Sequence, residues 1–256
     1  MKTHPCLGWL LILLIGFTDM AQPLSVIYAA PSGQGFSVDA PHPSPLEDLP
    51  LEEIPSGHSK EDILAILVTG DGGWADFIRN IGSGLAQKGV PVVGLNSLNY
   101  FWTLRSPDNA ARDLERIMTR YLRLWHKKKA LLLGYSFGAD TLPFMINRLP
   151  DEARASVAGV VLISPTHQAD FEIHILSHLG WQSLDRDYPV LPEVIKLKDY
   201  PVMCLAGTEE DDCLCGDHGL PWMKTILFPG GHHLGKDYQG IVNAIFSHLI
   251  LKGGQP

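Results

Sequence analysis

The sequence predicts an α/β fold in which helices cover both faces of a doubly wound, mainly parallel sheet. Short apolar runs alternate with helical patterns along the chain, and the runs are too apolar for strands with a solvated face. The chain has 256 residues, which suits one substantial core. Its net charge of −8 argues against nucleic acid as a partner, because phosphate binding needs clustered basic residues.

Each predicted strand is rich in Val, Ile and Leu and is bounded by Gly, Pro or Asp. The predicted strands are residues 63–69, 90–95, 130–135, 157–164, 202–206 and 225–228. The predicted helices are residues 76–88, 108–125, 141–149 and 239–251. The second helix is clearly amphipathic, because its apolar residues recur at three- and four-residue spacing. In such a fold, reactive groups gather on loops at the carboxyl ends of the strands.

The amino-terminal part of the chain predicts export. Residues 1–30 contain an apolar stretch over 7–17, which has the length of a secretory signal peptide; an uncleaved anchor is the alternative. Residues 31–60 are rich in proline and predict a disordered linker. The folded domain is therefore predicted over residues 61–252, in a protein that is periplasmic or secreted.

One segment inside the domain departs from the alternation of strand and helix. Residues 166–198 are long for a plain connection and predict a cap insertion over the site. A surface helix that packs its own apolar stripe explains the same pattern equally well. His174 and His178 in this segment are candidate substrate contacts or structural residues.

Three cysteines remain after removal of a signal peptide. One disulfide and one leftover thiol is the simplest arrangement in an oxidising compartment, and free buried cysteines are the competing interpretation. Pairing Cys204 with Cys215 would close a loop of about a dozen residues, which leaves Cys213 free. The spacing matches no metal site, and we expect no metal or other cofactor.

The most informative motif is G-x-S-x-G at residues 134–138, between a predicted strand and a predicted helix. In this context a serine becomes a nucleophile, because the sharp strand-to-helix turn exposes its hydroxyl at the sheet edge. Gly134 and Gly138 supply the small residues that the turn needs. The alternative is a Gly-Ser turn that merely connects two elements. The motif therefore predicts Ser136 as the nucleophile of a serine hydrolase.

A serine nucleophile needs a base and an orienting acid, and in α/β hydrolases these follow it in the order acid, then histidine. The acidic loop after the strand at 202–206 offers Asp212 as first choice, Asp211 as second and Glu210 as third, because spacing alone does not separate neighbours. After the last strand, two glycines precede His232, which we predict as the base. His233 would then be a packing or supporting neighbour.

The oxyanion hole is predicted to combine the N–H of Phe137 with that of Asp71 or Gly72 in the glycine-rich loop after the first strand. A group of aromatic and acidic residues near the same sheet edge supplies the candidate substrate contacts. These candidates are Trp74, Tyr100, Phe101, Trp102 and Asp140. The aromatic residues could instead wedge a helix onto the sheet, and the acid at position 140 could instead complement a helix terminus.

Several short motifs, in this order, resemble the VirJ/AcvB family of bacterial virulence proteins from about residue 63 to 248. They are Gly-Asp-Gly-Gly-Trp at 70–74, Ser97 with Tyr-Phe-Trp at 100–102, residues 134–140, Ala-Asp-Phe-Glu at 169–172, and Gly-Gly-His-His at 230–233. The family pattern also carries cysteines matching Cys204 and Cys215 and an aspartate matching Asp212. The chain departs from that pattern at Thr208 and Cys213.

The resemblance implies a periplasmic α/β hydrolase that is associated with type IV secretion in some bacteria. For AcvB-like members it implies hydrolysis of lysyl-phosphatidylglycerol, so we expect a phospholipid or other ester substrate and contact with a membrane surface. One alternative is a secretion accessory or chaperone that binds pilin-like proteins. Another is a general carboxylesterase or thioesterase.

Overall fold

A computed structural model describes residues 46–58, 61–173, 188–217 and 220–250. Within them, the strands are β1 (Leu51–Ile54), β2 (Ile63–Val68), β3 (Val92–Leu95), β4 (Lys129–Tyr135), β5 (Val157–Ile163), β6 (Val202–Gly207) and β7 (Lys224–Phe228). They form one sheet in the order β1-β3-β2-β4-β5-β6-β7. All neighbours pair in parallel except β1 and β3. The predicted doubly wound, mainly parallel sheet is confirmed, and each predicted strand ends within two residues of its observed bounds.

The helices of the described residues follow the predicted alternation. They are α1 (Asp76–Gln87), α2 (Ser97–Tyr100), α3 (Pro107–Leu124), α4 (Phe137–Asn147), α5 (Asp151–Ala155), α6 (Val190–Ile195) and α7 (Tyr238–Ile245), and a π-helical turn (Phe246–Ile250) continues α7. Helix α3 shows how the sequence sets a boundary. Ser106 caps it by accepting a hydrogen bond from the N–H of Asn109 at 3.1 Å, and Pro107 occupies the first turn.

The central strands of the sheet are buried on both faces. Because successive side chains of a strand point to opposite sides, Ile66 of β2 packs on the face covered by α3 and α4, whereas Leu67 packs on the face covered by α1 and α7. Both side chains are fully buried. This explains the uninterrupted apolar runs of the central strands, since neither face of these strands contacts water.

The prediction of a disordered linker over 31–60 is corrected at its carboxyl-terminal end. Residues 51–54 form the edge strand β1, which pairs antiparallel with β3. Two acids of this segment have partners on α3: Asp48 lies 2.7 Å from Arg116, and Glu53 accepts a 2.5 Å hydrogen bond from the hydroxyl of Tyr121. Residues 1–45, with the predicted signal peptide or anchor, lie outside the described residues.

The predicted cap insertion is described only at its two ends. Residues 174–187, with His174 and His178, lie outside the described residues, so the cap stays a prediction. At one end, Phe171 is buried against Phe101, and the carbonyl of Phe101 accepts a 2.7 Å hydrogen bond from the N–H of Ile173. No helix in the described part of the chain is long and apolar enough to cross a membrane.

The loop between β6 and β7 is fastened covalently. A disulfide joins Cys204, in β6, to Cys215, and both residues are buried. Cys213 is a free, partly buried thiol, and burial raises its pKa to about 11. The N–H of Leu214 also donates to the carbonyl of Pro165 at 2.9 Å, which ties this loop to the loop after β5.

His167 makes a second connection between these two loops. Its Nδ1 lies 2.5 Å from a carboxylate oxygen of Asp212, and its Nε2 lies 3.2 Å from one of Asp217. The hydrogen bond to Asp212, followed by that to Asp217, raises the pKa of His167 above its ordinary value. Both ring nitrogens meet a carboxylate, so this connection is strongest when the ring is protonated.

We expect this connection to make the stability of the fold depend on pH. Because the pKa of His167 is raised in the folded protein, its contribution is fully present below the ordinary value of about 6.5 and is lost as pH rises through the raised value. Replacing His167→Gln should therefore lower the free energy of unfolding most near about pH 6 and least in alkaline solution. Urea denaturation across this range measures the difference between the two proteins.

The matched control is His58→Gln, which changes an exposed histidine far along the chain from this loop. We expect no comparable pH dependence from it. A difference between wild type and His167→Gln that stays constant, or that grows towards alkaline pH, would contradict the prediction.

Candidate active site

Ser136 occupies a strained turn between β4 and α4. Its φ is 52° and its ψ is −123°, which a non-glycine residue rarely adopts. The turn is possible because its neighbours lack side chains: a β-carbon at Gly134 would lie 2.4 Å from the carbonyl oxygen of Gly138, and one at Gly138 would lie 2.2 Å from that of Val68. The structure therefore forms the strand–turn–helix arrangement that the motif predicts.

His232 lies directly at this serine, because its Nε2 is 2.8 Å from the Oγ of Ser136. The loop after β7 reaches the end of β6 through a close backbone approach, since a β-carbon at Gly207 would lie 2.3 Å from the carbonyl oxygens of Gly230 and Gly231. The ring of Tyr135 packs 5.4 Å from the ring of His232 and limits how the imidazole can turn.

The carboxylate that faces the other imidazole nitrogen belongs to Glu210. Its Oε2 lies 3.5 Å from His232 Nδ1, the outer edge of hydrogen-bonding distance. Its Oε1 accepts hydrogen bonds from the hydroxyl of Ser164 at 2.7 Å and from the N–H of Gly207 at 2.8 Å. The side chain of Glu210 is only 8% exposed, so these donors compensate the loss of water around its charge.

The prediction that Asp212 orients the imidazole of His232 is wrong, because Asp212 does not face this ring. Asp212 is 73% exposed and contacts His167, and the second choice, Asp211, is exposed as well. The physical reason lies in the turn after β6, where the N–H of Glu210 donates to the carbonyl of Gly207 at 3.4 Å. This turn brings residue 210 under the histidine, and the longer side chain of glutamate reaches Nδ1.

The residues predicted for the oxyanion hole flank the serine. The N–H of Phe137 is the first of helix α4, and the first N–H groups of a helix have no carbonyl partner within it. The glycine-rich loop passes close on the other side, since a β-carbon at Gly70 would lie 3.4 Å from that of Ser136. Asp71 and Gly72, the next residues of this loop, are exposed.

Two of the aromatic residues predicted to contact substrate are corrected to core residues. Tyr100 and Phe101 are 1% and 0% exposed. The hydroxyl of Tyr100 donates a 2.5 Å hydrogen bond to Asp113 of α3, and the ring of Phe101 packs 5.0 Å from that of Phe137. The helical turn α2 directs both rings inward, so they wedge the neighbouring elements together. Trp102, just after this turn, is 54% exposed.

Trp74 and Asp140 are also occupied by contacts within the protein. The indole of Trp74 covers β3, where a β-carbon at Gly94 would lie 2.1 Å from it. Asp140 is buried and accepts hydrogen bonds from the N–H and hydroxyl of Thr166, at 2.6 Å and 3.1 Å. Burial raises the pKa of Asp140 to about 7, against the opposite effect of these two bonds. Asp140 therefore anchors the loop after β5.

Ser164 is a site residue that the sequence reasoning missed, and His167 is a missed connection between two loops beside the site. Ser164 follows the apolar run of β5 directly, and a polar residue at the carboxyl end of a central strand was the available signal. His233, the predicted neighbour of His232, is exposed, and its ring meets the ring of Phe77 edge-on at 5.5 Å. In the described residues, no group of three or more His, Cys, Asp or Glu is arranged to hold a metal ion.

Ser136, His232 and Glu210 form a continuous series of contacts. A hydroxyl within hydrogen-bonding distance of an imidazole, backed by a buried carboxylate, is the arrangement that activates a serine for nucleophilic attack. The three side chains come from the ends of β4, β7 and β6, at the carboxyl edge of one sheet. Their chain order is serine, acid, histidine.

Solved structures share this architecture. They include Est1E from Butyrivibrio proteoclasticus with ferulic acid bound (11% identity, 82% of this chain and 98% of that chain, TM-score 0.56) and MenH from S. aureus (14%, 80% and 99%, 0.55). XC6422 from Xanthomonas campestris, a member of the α/β serine hydrolases without a lid, is also similar (12%, 80% and 89%, 0.50). At these identities the likeness shows the α/β-hydrolase fold alone.

Comparison with curated proteins finds no match. The family model of the bacterial virulence protein VirJ matches residues 62–252, which include every strand from β2 to β7 and all three side chains at the carboxyl edge. The earlier resemblance to the VirJ/AcvB family is thereby confirmed. The chain belongs to the VirJ family of bacterial virulence proteins.

Proposed function

We propose that this protein is a serine hydrolase that cleaves a carboxylic ester by acyl transfer. The observation that carries the proposal is the 2.8 Å contact between Ser136 Oγ and His232 Nε2, with Glu210 facing the opposite ring nitrogen. A buried carboxylate at that position favours the neutral tautomer with a proton on Nδ1, which leaves Nε2 free to accept the proton of the serine.

In the proposed reaction, Ser136 attacks the ester carbonyl while His232 takes its proton. The imidazolium then forms beside Glu210, whose negative charge stabilises it, and later gives the proton to the leaving alcohol. Water, activated by the same imidazole, releases the acyl group from Ser136. The N–H of Phe137 and one from Asp71 or Gly72 would stabilise the oxyanion at the start of α4, where the helix favours negative charge.

The finer proposal is an aminoacylated phospholipid such as lysyl-phosphatidylglycerol as substrate, in the periplasm or outside the cell. Family membership supports it, since the resemblance implies this substrate for AcvB-like members. Trp102 and Leu104 are exposed apolar side chains on the loop after α2, 54% and 43% exposed, and such side chains suit contact with lipid. The disulfide between Cys204 and Cys215 supports an oxidising compartment.

Replacing Ser136→Ala should abolish covalent labelling by a fluorophosphonate probe and lower hydrolysis of p-nitrophenyl butyrate by at least about 10³-fold. The reason is that the nucleophile itself is lost. Gel fluorescence and absorbance measure the two effects. The control is Ser156→Ala, at the opposite edge of the sheet, which should label like wild type. Folded wild-type protein that neither labels nor hydrolyses would contradict the proposal and favour the accessory role that binds pilin-like proteins.

Replacing Glu210→Gln should lower kcat by about 10³-fold, because a neutral amide neither stabilises the imidazolium nor fixes its tautomer. The matched control is Asp212→Asn, two residues along the same loop, which should change kcat by less than about threefold. Steady-state hydrolysis of p-nitrophenyl butyrate separates them. A larger loss from Asp212→Asn than from Glu210→Gln would return the role of the acid to Asp212.

Vesicles of phosphatidylglycerol containing lysyl-phosphatidylglycerol test the substrate. Wild-type protein should release free lysine, and Ser136→Ala should not, because release needs the nucleophile. Amino-acid analysis of the supernatant measures the product. Hydrolysis of p-nitrophenyl butyrate or of an acyl thioester without release of lysine would reject the lipid substrate and favour a general carboxylesterase or thioesterase.

A further inference from the structure

Ser164 occupies an unusual position beside the three residues proposed for catalysis. It follows β5 directly and is 1% exposed, and its N–H donates to the carbonyl of Leu205 in β6 at 2.8 Å. Ser136 makes the same kind of contact one strand away, where its N–H donates to the carbonyl of Ile163 at 2.8 Å. Both serines have a φ of 52°. Two adjacent strands thus end in serines with the same left-handed φ.

A left-handed φ at a serine needs an explanation, because glycine adopts it without a steric penalty. Strain of this kind persists where the surroundings fix the residue, and it concentrates at functional sites. What serine provides here and glycine does not is a hydroxyl. The use of that hydroxyl therefore indicates the role of the residue.

The hydroxyl of Ser164 has one proton to donate. Its Oγ lies 2.7 Å from Oε1 of Glu210 and 3.4 Å from the carbonyl oxygen of His232, so the shorter contact receives the proton. The N–H of Gly207 donates to the same Oε1 at 2.8 Å. With Oε1 held from two sides, Oε2 faces Nδ1 of His232.

These two hydrogen bonds hold a carboxylate that would otherwise lack partners on that side. The side chain of Glu210 is nearly buried, and a buried carboxylate that lacks hydrogen-bond donors is costly and is not held in one orientation. The imidazole does not hold it tightly, because the contact between Oε2 and Nδ1 is 3.5 Å. The two hydrogen bonds to Oε1 are shorter than this contact. They therefore hold the carboxylate more strongly than His232 does.

From these contacts we infer that Ser164 is a positioning residue that fixes the orientation of Glu210 and so acts on Ser136 through Glu210 and His232. The inference rests on the proposed function, since it assigns a task within that reaction. Ser164 itself does not touch the reacting atoms. Its effect should appear in the rate of the chemical step and depend entirely on the carboxylate at position 210.

The experiment measures kcat and KM for p-nitrophenyl butyrate in four proteins: wild type, Ser164→Ala, Glu210→Gln and the double variant. Ser164→Ala should lower kcat about tenfold, the value of one hydrogen bond to a charged group, and leave KM unchanged. In the Glu210→Gln background, the same replacement should change kcat by less than about twofold, because residues that act through one another are not additive.

Two results would overturn the inference. One is a kcat of Ser164→Ala within about twofold of wild type; the other is an undiminished tenfold loss in the Glu210→Gln background, which would mean that the hydroxyl acts elsewhere. An inactive wild-type protein would overturn the proposed function and the inference with it. Active wild-type protein with either of the first two results would overturn the inference alone.

Controls separate positioning from folding. Ser106→Ala removes the cap of α3 and should lower stability without changing kcat. Thermal unfolding of each variant shows that it is folded at the assay temperature. Ser164→Gly removes the hydroxyl and also relieves the left-handed φ, so it should show the same loss of kcat even if Ser164→Ala folds poorly. A kcat of Ser164→Gly equal to that of wild type would contradict the inference.

Discussion

The close approach of α4 to β2 is the constraint on which the site depends. A β-carbon at Gly138 would lie 2.2 Å from the carbonyl oxygen of Val68, so the helix can start at this distance only with glycine there. The short separation forces the chain to reverse within one residue, and Ser136 takes the resulting strain at φ 52°. The hydroxyl then projects from the edge of the sheet towards the loop after β7. A wider turn would leave the serine side chain within the protein and the histidine without a partner.

Two further loops meet each other beside this serine by the same means, which is close approach of their backbones. Gly207 lets the end of β6 touch the backbone at Gly230, so the acid and the histidine reach the site from adjacent strands. The disulfide at Cys204 and the contacts of His167 fasten the remainder of the β6–β7 loop. The close approach of the loop backbones, together with the disulfide and the contacts of His167 outside the site, therefore holds the site residues in position. The 3.5 Å contact between Glu210 and His232 could not hold three loops by itself.

The sequence predicted those parts of the molecule that depend on local pattern. The strands followed from uninterrupted apolar runs, and Ser136 and His232 from glycines that only sharp loops require. The acid was not predictable in this way, since four consecutive acids share one loop and the turn at Gly207 decides which of them faces inward. Tyr100 and Phe101 were misplaced for a similar reason: adjacent aromatics show apolar character, but only the helical turn α2 determines that both point into the core. Edge strand β1 escaped prediction because Glu53 within it and Asp48 just before it are paired with α3, far along the chain.

Two carboxylates of the acidic loop, Glu210 and Asp212, therefore have different roles, and they differ in how far each side chain is buried. The side chain of Glu210 is 8% exposed and accepts two hydrogen bonds, which hold its carboxylate in one orientation beside His232. Asp212 is 73% exposed and binds His167, so its charge costs little to solvate and serves to connect two loops. An aspartate at position 212 also belongs to the pattern by which the family was recognised from sequence. The contact of Asp212 with His167 gives this position a structural role, so its place in that pattern does not require a part in catalysis.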